Sequence, residues 1–214
     1  MTIRQAADSD IPFLVEAIIE AEASGSPRVS YREIFSLDDA AVRTLFENVL
    51  AERLEGCGWC PTEFLVAERQ DEAAACCAAW VEGAAGLSSN IIRSQLLLEF
   101  VGAQRWRDAA ARLAAVAELN INRTAGALQI DAVYTKPAHR GHRLSGSLIR
   151  EHMARAAGAG VTSAEIQVMK DNTAAVSSYR GAGFSVATEK RSHNGAVLQL
   201  LPGDSKLMMR QDQS

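Results

Sequence analysis

Long apolar runs are missing from this chain of 214 residues, which has no stretch of about 18 consecutive apolar side chains. A transmembrane helix needs roughly 20 such residues, so we expect no membrane-spanning segment and no membrane partner. The first residues, MTIRQAADSD, also lack the apolar core and cleavage site of a signal peptide. The sequence therefore favours a cytoplasmic protein.

An excess of positive charge is also absent. The chain has 22 Lys and Arg residues against 26 Asp and Glu residues, which gives a formal net charge of −4. A protein that neutralises many phosphates needs a basic surface, so we expect no nucleic-acid partner. The sequence contains no internal repeat and no linker-like segment. A chain of this size can bury one sizeable core, and we predict a single domain over residues 1–214.

Cysteine is scarce, with four residues confined to two places. Cys57 and Cys60 have the C-x-x-C spacing of a redox pair or of half a zinc site. They follow a predicted helix, whereas a redox pair begins one. The adjacent Cys76 and Cys77 point to opposite faces of a predicted strand, which separates them as ligands of one ion. We expect reduced, partly buried cysteines and no metal site, with a redox or zinc module as the alternative.

Hydrophobic periodicity predicts alternating strands and helices along the chain. Apolar residues at helical spacing, such as Phe13, Leu14 and Ala17, predict helices, and short apolar runs bounded by turn residues predict strands. The predicted strands are 3–6, 62–68, 74–81, 128–135, 164–169, 184–190 and 207–211, and the predicted helices are 11–23, 37–54, 91–101, 105–119, 144–157 and 173–181. This order predicts one α/β (α+β) domain built on a mixed sheet.

A basic turn joins the fourth predicted strand to the helix that follows it. The turn contains Arg140, Gly141, His142 and Arg143. The free N–H groups and the positive dipole end of a helix N-terminus, with cationic side chains beside them, suit a phosphate or pyrophosphate. No Walker A or G-x-G-x-x-G pattern is present. A solvated helix start explains the same residues, so the turn alone does not establish a phosphate-binding site.

A second segment, N-x-x-A-x-x-x-Y-x-x-x-G-F, runs from Asn172 to Phe184. Asn172 can cap the predicted helix or bind a ligand amide. Tyr179 lies seven residues later on the same helical face. Its phenol can donate a proton to a leaving group, or it can be a core aromatic.

Together and in this order, the two segments resemble those of the GNAT superfamily of acyl-CoA-dependent N-acetyltransferases. The second segment matches position for position. The first departs from the family's [QR]-x-x-G-x-[GA] pattern, because Arg143 stands at its glycine position and Ser145 at its last position, whereas Arg140 fits.

The resemblance implies a mixed, mostly antiparallel sheet with helices on both faces. It is strong over residues 128–190 and plausible over residues 1–83. Residues 84–126 have no counterpart in it, and we interpret them as a helical insertion between the third and fourth strands.

The resemblance also implies acetyl-CoA as the acyl donor, held where the fourth and fifth strands splay apart, with no metal. In such enzymes the amine attacks the thioester directly, the N–H near Val133 polarises the thioester carbonyl, and Tyr179 protonates the departing thiolate. The residues that would contact the cofactor are Val133, Thr135, Arg140, Gly141, His142, Arg143, Leu144, Ser145, Asn172 and Tyr179.

The sequence contains three carboxylate candidates for the general base. Asp131 is the first candidate, because alternation along the fourth strand places it on the same face as Val133 and Thr135. A surface or ion-pairing role is the alternative for Asp131. Glu68 and Glu82 are weaker candidates, and His139 is expected to be structural.

The acceptor is predicted only as a primary amine on a small molecule or a peptide. Helices within 30–60 and 84–126 would wall its pocket, with Trp80 and Glu82 as lining candidates and Trp80 as a possible core residue. The insertion can instead form a homodimer face, for which Ile91, Leu96, Leu97 and Phe100 supply apolar area. A catalytically weak, acyl-CoA-binding protein with a regulatory role is the rival interpretation.

Overall fold

The computed structural model describes residues 1–212 and contains one seven-stranded sheet with the order β1-β2-β3-β4-β5-β7-β6. Residues 213 and 214 of the predicted domain lie outside the described residues. Every neighbouring pair is antiparallel except β4 and β5, which are parallel. The strands are β1 (Thr2–Gln5), β2 (Phe64–Arg69), β3 (Glu72–Val81), β4 (Leu128–Thr135), β5 (Ser163–Met169), β6 (Ser185–Arg191) and β7 (Ser205–Asp212). The predicted mixed, mostly antiparallel sheet is confirmed.

Helices cover both faces of the sheet, as expected. They are α1 (Ile11–Ala23), α2 (Ser30–Phe35), α3 (Asp39–Ala51), α4 (Ser89–Val101), α5 (Ala103–Asp108), α6 (Ala110–Ala117), α7 (Leu144–Gly158), α8 (Thr173–Gly181) and α9 (Gly195–Leu200). No helix within residues 1–212 has the length and hydrophobicity needed to cross a membrane.

Two hydrophobic clusters lie on opposite faces of the sheet. On the face that we call the α1 face, α1, α3 and α4 bury residues such as Leu14 and Phe46 against β2, β3 and β4. On the face that we call the α7 face, α7 and α8 bury residues such as Leu148 and Val176 against β2, β4, β5 and β7. Because strand residues alternate between faces, Cys76 belongs to the first cluster and Cys77 to the second, as predicted.

Local sequence explains several element boundaries. The Asp38 carboxylate accepts a hydrogen bond from the N–H of Ala41 at 2.7 Å and caps α3. Between β2 and β3, Gln70 and Asp71 both have positive φ angles, of 56° and 60°. A two-residue hairpin turn of type I′ requires this conformation. The turn therefore sets the register of the β2–β3 hairpin.

The helices of the insertion differ from the prediction. Residues 105–119 form two short helices, α5 and α6, interrupted at Ala109, rather than one. The short helices α2 and α9 were not predicted, because six residues are too few to show a helical period. Leu96 and Leu97 are buried against the α1 face and are unavailable to a dimer surface, whereas Ile91 and Leu98 are exposed.

A β-bulge in β4 changes which residues share a face. Ala132 has a φ of +46°, and the β3–β4 register shifts by one residue between Cys76 and Ala78. Asp131 therefore lies opposite Ala78 on the α1 face, while Val133 packs with the α7-face cluster. The prediction that Asp131 shares a face with Val133 and Thr135 is wrong, because the bulge breaks the alternation.

Strands β4 and β5 pair over only three residues each. Leu128–Ile130 pair with Ala164–Ile166, and no pairing with β5 is present beyond Ile130 in the part of the chain that the structure describes. The remainder of the two strands separates, which opens a gap through the sheet. This is the splay between the fourth and fifth strands that the sequence resemblance implied.

His152 on α7 links stability to pH. Its Nε2 donates to the carbonyl of Cys77 at 2.9 Å, and burial lowers its pKa from 6.5 to about 4. The unfolded chain binds a proton here below pH 6.5, whereas the folded chain does so only near pH 4. Stability should therefore fall as the pH drops through this window, by about 3 kcal/mol.

We expect His152→Gln, which keeps a donor but cannot bind a proton, to remove this part of the pH dependence. Urea unfolding at pH 7 and pH 4.5 measures it, with the exposed His193→Gln as the matched control. An unchanged pH dependence in His152→Gln would contradict the assignment.

Candidate active site

A cavity of about 440 Å³ occupies the gap between β4 and β5. Six of the predicted site residues line it: Asp131, Val133, Thr135, Arg140, Asn172 and Tyr179. Further lining residues come from the end of α1, from α2, from the insertion and from β7: Glu22, Ser24, Ser30, Arg93, Arg123 and Lys206. The cavity thus connects the α7 face, where Tyr179 lies, with the α1 face, where Asp131 lies.

The basic turn forms the entrance to α7. Arg140 lines the cavity, and its Nε donates to the carbonyl of Thr135 at 3.3 Å. Gly141, His142, Arg143, Leu144 and Ser145 follow it and lie outside the cavity lining. The N–H groups of the first turn of α7 have no acceptor within the helix, so they are available to an anion. The basic turn and the N-terminus of α7 therefore lie at the edge of the cavity.

The backbone conformation at Arg143 explains why the family pattern has a glycine at this position. It precedes α7 with a φ of +60°, in the left-handed region. Glycine occupies this region without strain, whereas a residue with a Cβ pays about 1 kcal/mol. The departure at Arg143 therefore preserves the backbone conformation at a modest cost in stability.

Tyr179 and Asn172 both belong to the segment around α8. The Asn172 Oδ1 accepts from the N–H of Ala175 at 3.2 Å, and its Nδ2 donates to the hydroxyl of Ser24 at 3.1 Å. Its capping role is thus confirmed. The Tyr179 ring is buried, and burial raises the pKa of its phenol. The phenol therefore stays protonated at neutral pH and can act as a proton donor.

On the α1 face the cavity wall contains an ion pair. The Arg93 Nη2 lies 2.7 Å from the Asp131 Oδ2, and the Arg93 Nε donates to the carbonyl of Cys57 at 2.7 Å. The guanidinium carbon lies 4.6 Å from the ring centre of Trp59 and 5.2 Å from that of Trp80. Arg93 comes from α4, so the insertion contributes directly to the cavity.

Two carboxylates on this face have different acidities. Burial alone would raise the pKa of Asp131, but the charges of Arg93 and Arg123 lower it overall. Burial raises the pKa of Glu22, and the negative charge of Asp131 adds to this effect. Asp131 is therefore firmly ionised, whereas Glu22 holds a proton more readily.

Comparison with known proteins agrees with this geometry. The sequence model described as Acetyltransferase (GNAT) family matches residues 31–184. The chain belongs to the GNAT family of acetyltransferases. The match runs through residues 84–126 and includes both of the segments that suggested the family from the sequence.

Solved acetyltransferases share the fold of this GNAT chain. An N-acetyltransferase from Staphylococcus aureus Mu50 aligns over 99% of this chain and 100% of its own, with 15% identity and a TM-score of 0.68. The Salmonella typhimurium protein yncA, solved with its cofactor acetyl-CoA, aligns over 100% and 94%, with 15% identity and a TM-score of 0.57. At this identity the likeness concerns the fold. No curated protein matches the chain significantly.

Other predicted candidates lie away from the GNAT cavity. Glu68 pairs with Arg4 at the β1 edge of the sheet. Glu82 is buried, accepts from the indole N–H of Trp80 at 3.0 Å and caps α4 through the N–H of Ser89. Trp80 is a core residue. His139 is buried against Glu72, in agreement with a structural role.

The C-x-x-C segment supports the cavity wall. The carboxylate of Glu63 accepts from the N–H groups of Gly56 at 2.5 Å and Gly58 at 2.7 Å, and a Cβ at Gly58 would clash with the ring of Trp80. This turn presents the Cys57 carbonyl to Arg93. Burial raises the pKa of the Cys57 thiol to about 11, which disfavours the reactive thiolate.

The charged residues of the α1 face were largely missed from the sequence. Glu22, Arg93, Arg123 and Lys206 lie in four separate elements or loops. None of them belongs to a local motif. Only their convergence in the folded chain shows that they share one site, and no sequence signal could have found them.

We expect Arg93→Met to destabilise the protein by about 2 kcal/mol, between the values for exposed and buried pairs, because Asp131 would lose its closest partner in a partly buried position. The same change should raise the pKa of Asp131. Urea unfolding and a carboxyl NMR titration measure the two effects. Arg155→Met, which breaks an exposed pair with Glu151, is the control and should cost less than about 1 kcal/mol. Equal losses in both variants would contradict a structural role for the Arg93 pair.

Proposed function

We propose that this protein is an N-acetyltransferase that moves the acetyl group of acetyl-CoA directly to a primary amine while both substrates are bound. The observation that carries the proposal is the single cavity through the sheet, which joins the anion-binding turn and Tyr179 to the carboxylates of the α1 face. A donor and an acceptor can enter it from opposite faces.

The residues of the α7 face fit the donor. The unpaired edge of β4 beyond Ile130 can bind the amides of the pantetheine arm, and the α7 N-terminus with Arg140 can bind the pyrophosphate. When bound, acetyl-CoA supplies an activated acetyl group. The N–H of Val133 is assigned to its carbonyl oxygen, as a preorganised donor.

Tyr179 is the proposed general acid. It lines the cavity on the α7 face. The raised pKa keeps its proton in place until negative charge develops on the sulfur. The same hydroxyl then reforms its O–H bond from solvent.

Glu22 is proposed as the base, in preference to the Asp131 of the sequence prediction. An effective base has a pKa near the working pH. The pKa of Glu22 is raised towards this range, whereas that of Asp131 is lowered and its carboxylate is held by Arg93. In this assignment Asp131 is a positioning residue that fixes Arg93 and adds negative charge beside Glu22.

We expect Tyr179→Phe to lower kcat by about 10- to 1,000-fold while the affinity for acetyl-CoA stays nearly unchanged. The hydroxyl acts on charge that develops only as the thiolate leaves. Calorimetry with acetyl-CoA and a thiol-release assay against a panel of amines measure the two quantities. Absence of acetyl-CoA binding at millimolar ligand would contradict the proposed function. Binding without turnover on any amine would support the weak, regulatory alternative.

The two carboxylates are distinguished by their pH profiles. We expect Glu22→Gln to abolish the rise of kcat/KM with pH, because a neutral amide cannot accept the proton. Asp131→Asn should lower activity but retain the rise. A flattened profile in Asp131→Asn alone would restore Asp131 as the base and refute the assignment to Glu22.

A further inference from the structure

Five charged side chains converge on the α1 face of the cavity. All five line it: Glu22, Arg93, Arg123, Asp131 and Lys206. The charge of Asp131 acts on each of the other four. Three are cations and two are carboxylates. Because Arg93 and Asp131 neutralise each other at 2.7 Å, one carboxylate and two cations remain available to a ligand.

Arg123 forms no close ion pair within residues 1–212, although the charges of Asp131 and Glu82 reach it. Its Nη1 donates to the neutral Oδ1 of Asn90 at 2.8 Å, and its guanidinium carbon lies 5.4 Å from the ring centre of Trp80. Burial and the charge of Arg93 lower the pKa of Arg123, and the more distant Asp131 and Glu82 offset this only in part. A bound anion would offset both the burial of the guanidinium and its repulsion by Arg93.

Lys206 is in the same situation. It lies on β7 opposite Met169, and its ammonium makes no ion pair or hydrogen bond with any residue of the described chain. Burial lowers its pKa overall; the charge of Glu22 opposes this shift, and the charge of Arg123 adds to it. Two cations that repel each other, and that both line a cavity, create a site with an affinity for negative charge.

The site lies on the opposite side of the sheet from the phosphate-binding turn. Met169 packs in a cluster with α6 and α9 rather than with the α7-face cluster, and its partner Lys206 shares that side. The turn at Arg140 leads into α7, which covers the other face. The phosphates of the donor therefore do not account for Arg123 and Lys206.

We propose that the acceptor is a small amine that also carries an anionic group, with Arg123 and Lys206 binding the anion and Glu22 facing the amine. This inference rests on the proposed transferase function and specifies its substrate class. The cavity of about 440 Å³ must also hold the end of the pantetheine arm, which limits the acceptor to a small molecule. A carboxylate and a phosphonate satisfy the same two cations.

Sets of matched acceptors test the proposal. Each set contains an α-amino acid, its primary amide, the amine without the carboxylate, and the corresponding aminophosphonate. We expect at least about 10-fold higher kcat/KM for the acid or the phosphonate than for the amide and the simple amine, which is the usual scale for a hydrogen bond to a charged group. The ratio of acid to phosphonate identifies the anion.

Variants locate the anion site. Arg123→Met and Lys206→Met should each lower kcat/KM for the anionic acceptor by roughly 10- to 100-fold, with little effect on the amide. The dissociation constant of acetyl-CoA should not change. Arg107→Met, which removes an exposed arginine on α5, is the matched control and should change none of these values.

The outcomes separate this inference from the transferase function. Equal or better turnover of neutral amines would overturn the inference and leave the function intact, as would weaker acetyl-CoA binding in the Arg123 and Lys206 variants. If no amine is acetylated, calorimetry measures the binding of each matched acceptor to CoA-saturated protein. Binding of acids but not amides would support the anion site without the function, and binding of neither would overturn both.

Discussion

The ion pair between Arg93 and Asp131 is the interaction on which the site depends. It joins α4 of the insertion to the bulge of β4, at the point where β4 leaves β5. The indoles of Trp59 and Trp80 and the carbonyl of Cys57 hold the guanidinium in place. Without this anchor, a carboxylate would remain partly buried with no partner, which is strongly unfavourable. Residues 84–126, interpreted from the sequence as an insertion, are therefore part of the cavity wall.

The bulge at Ala132 turns the side chains of Asp131 and Val133 towards opposite faces of the sheet. Asp131 faces the charged end of the cavity, while Val133 faces the donor side near Tyr179. A regular strand would place both on one face. One extra residue in β4 thus lets a single strand line both halves of a channel through the sheet.

The sequence predicted the framework better than the charged site. The bounds of α1, α8 and β4 agree with the prediction, because each has a clear apolar period and a turn residue at its end. The segment from Asn172 to Phe184 and the turn at Arg140 are local motifs, so the sequence could locate the proposed donor side. The bulge has no such signal, since Asp-Ala-Val is an ordinary strand sequence with no glycine. Glu22, Arg123 and Lys206 meet only through long-range contacts.

Two-substrate initial-rate kinetics test the proposed direct transfer between two substrates bound in one cavity. Varying acetyl-CoA at several fixed acceptor concentrations should give intersecting double-reciprocal lines, with no acetylated protein detected by mass spectrometry when acetyl-CoA is added alone. Parallel lines, together with an acetyl group on the protein, would show a covalent acyl-enzyme and contradict direct transfer.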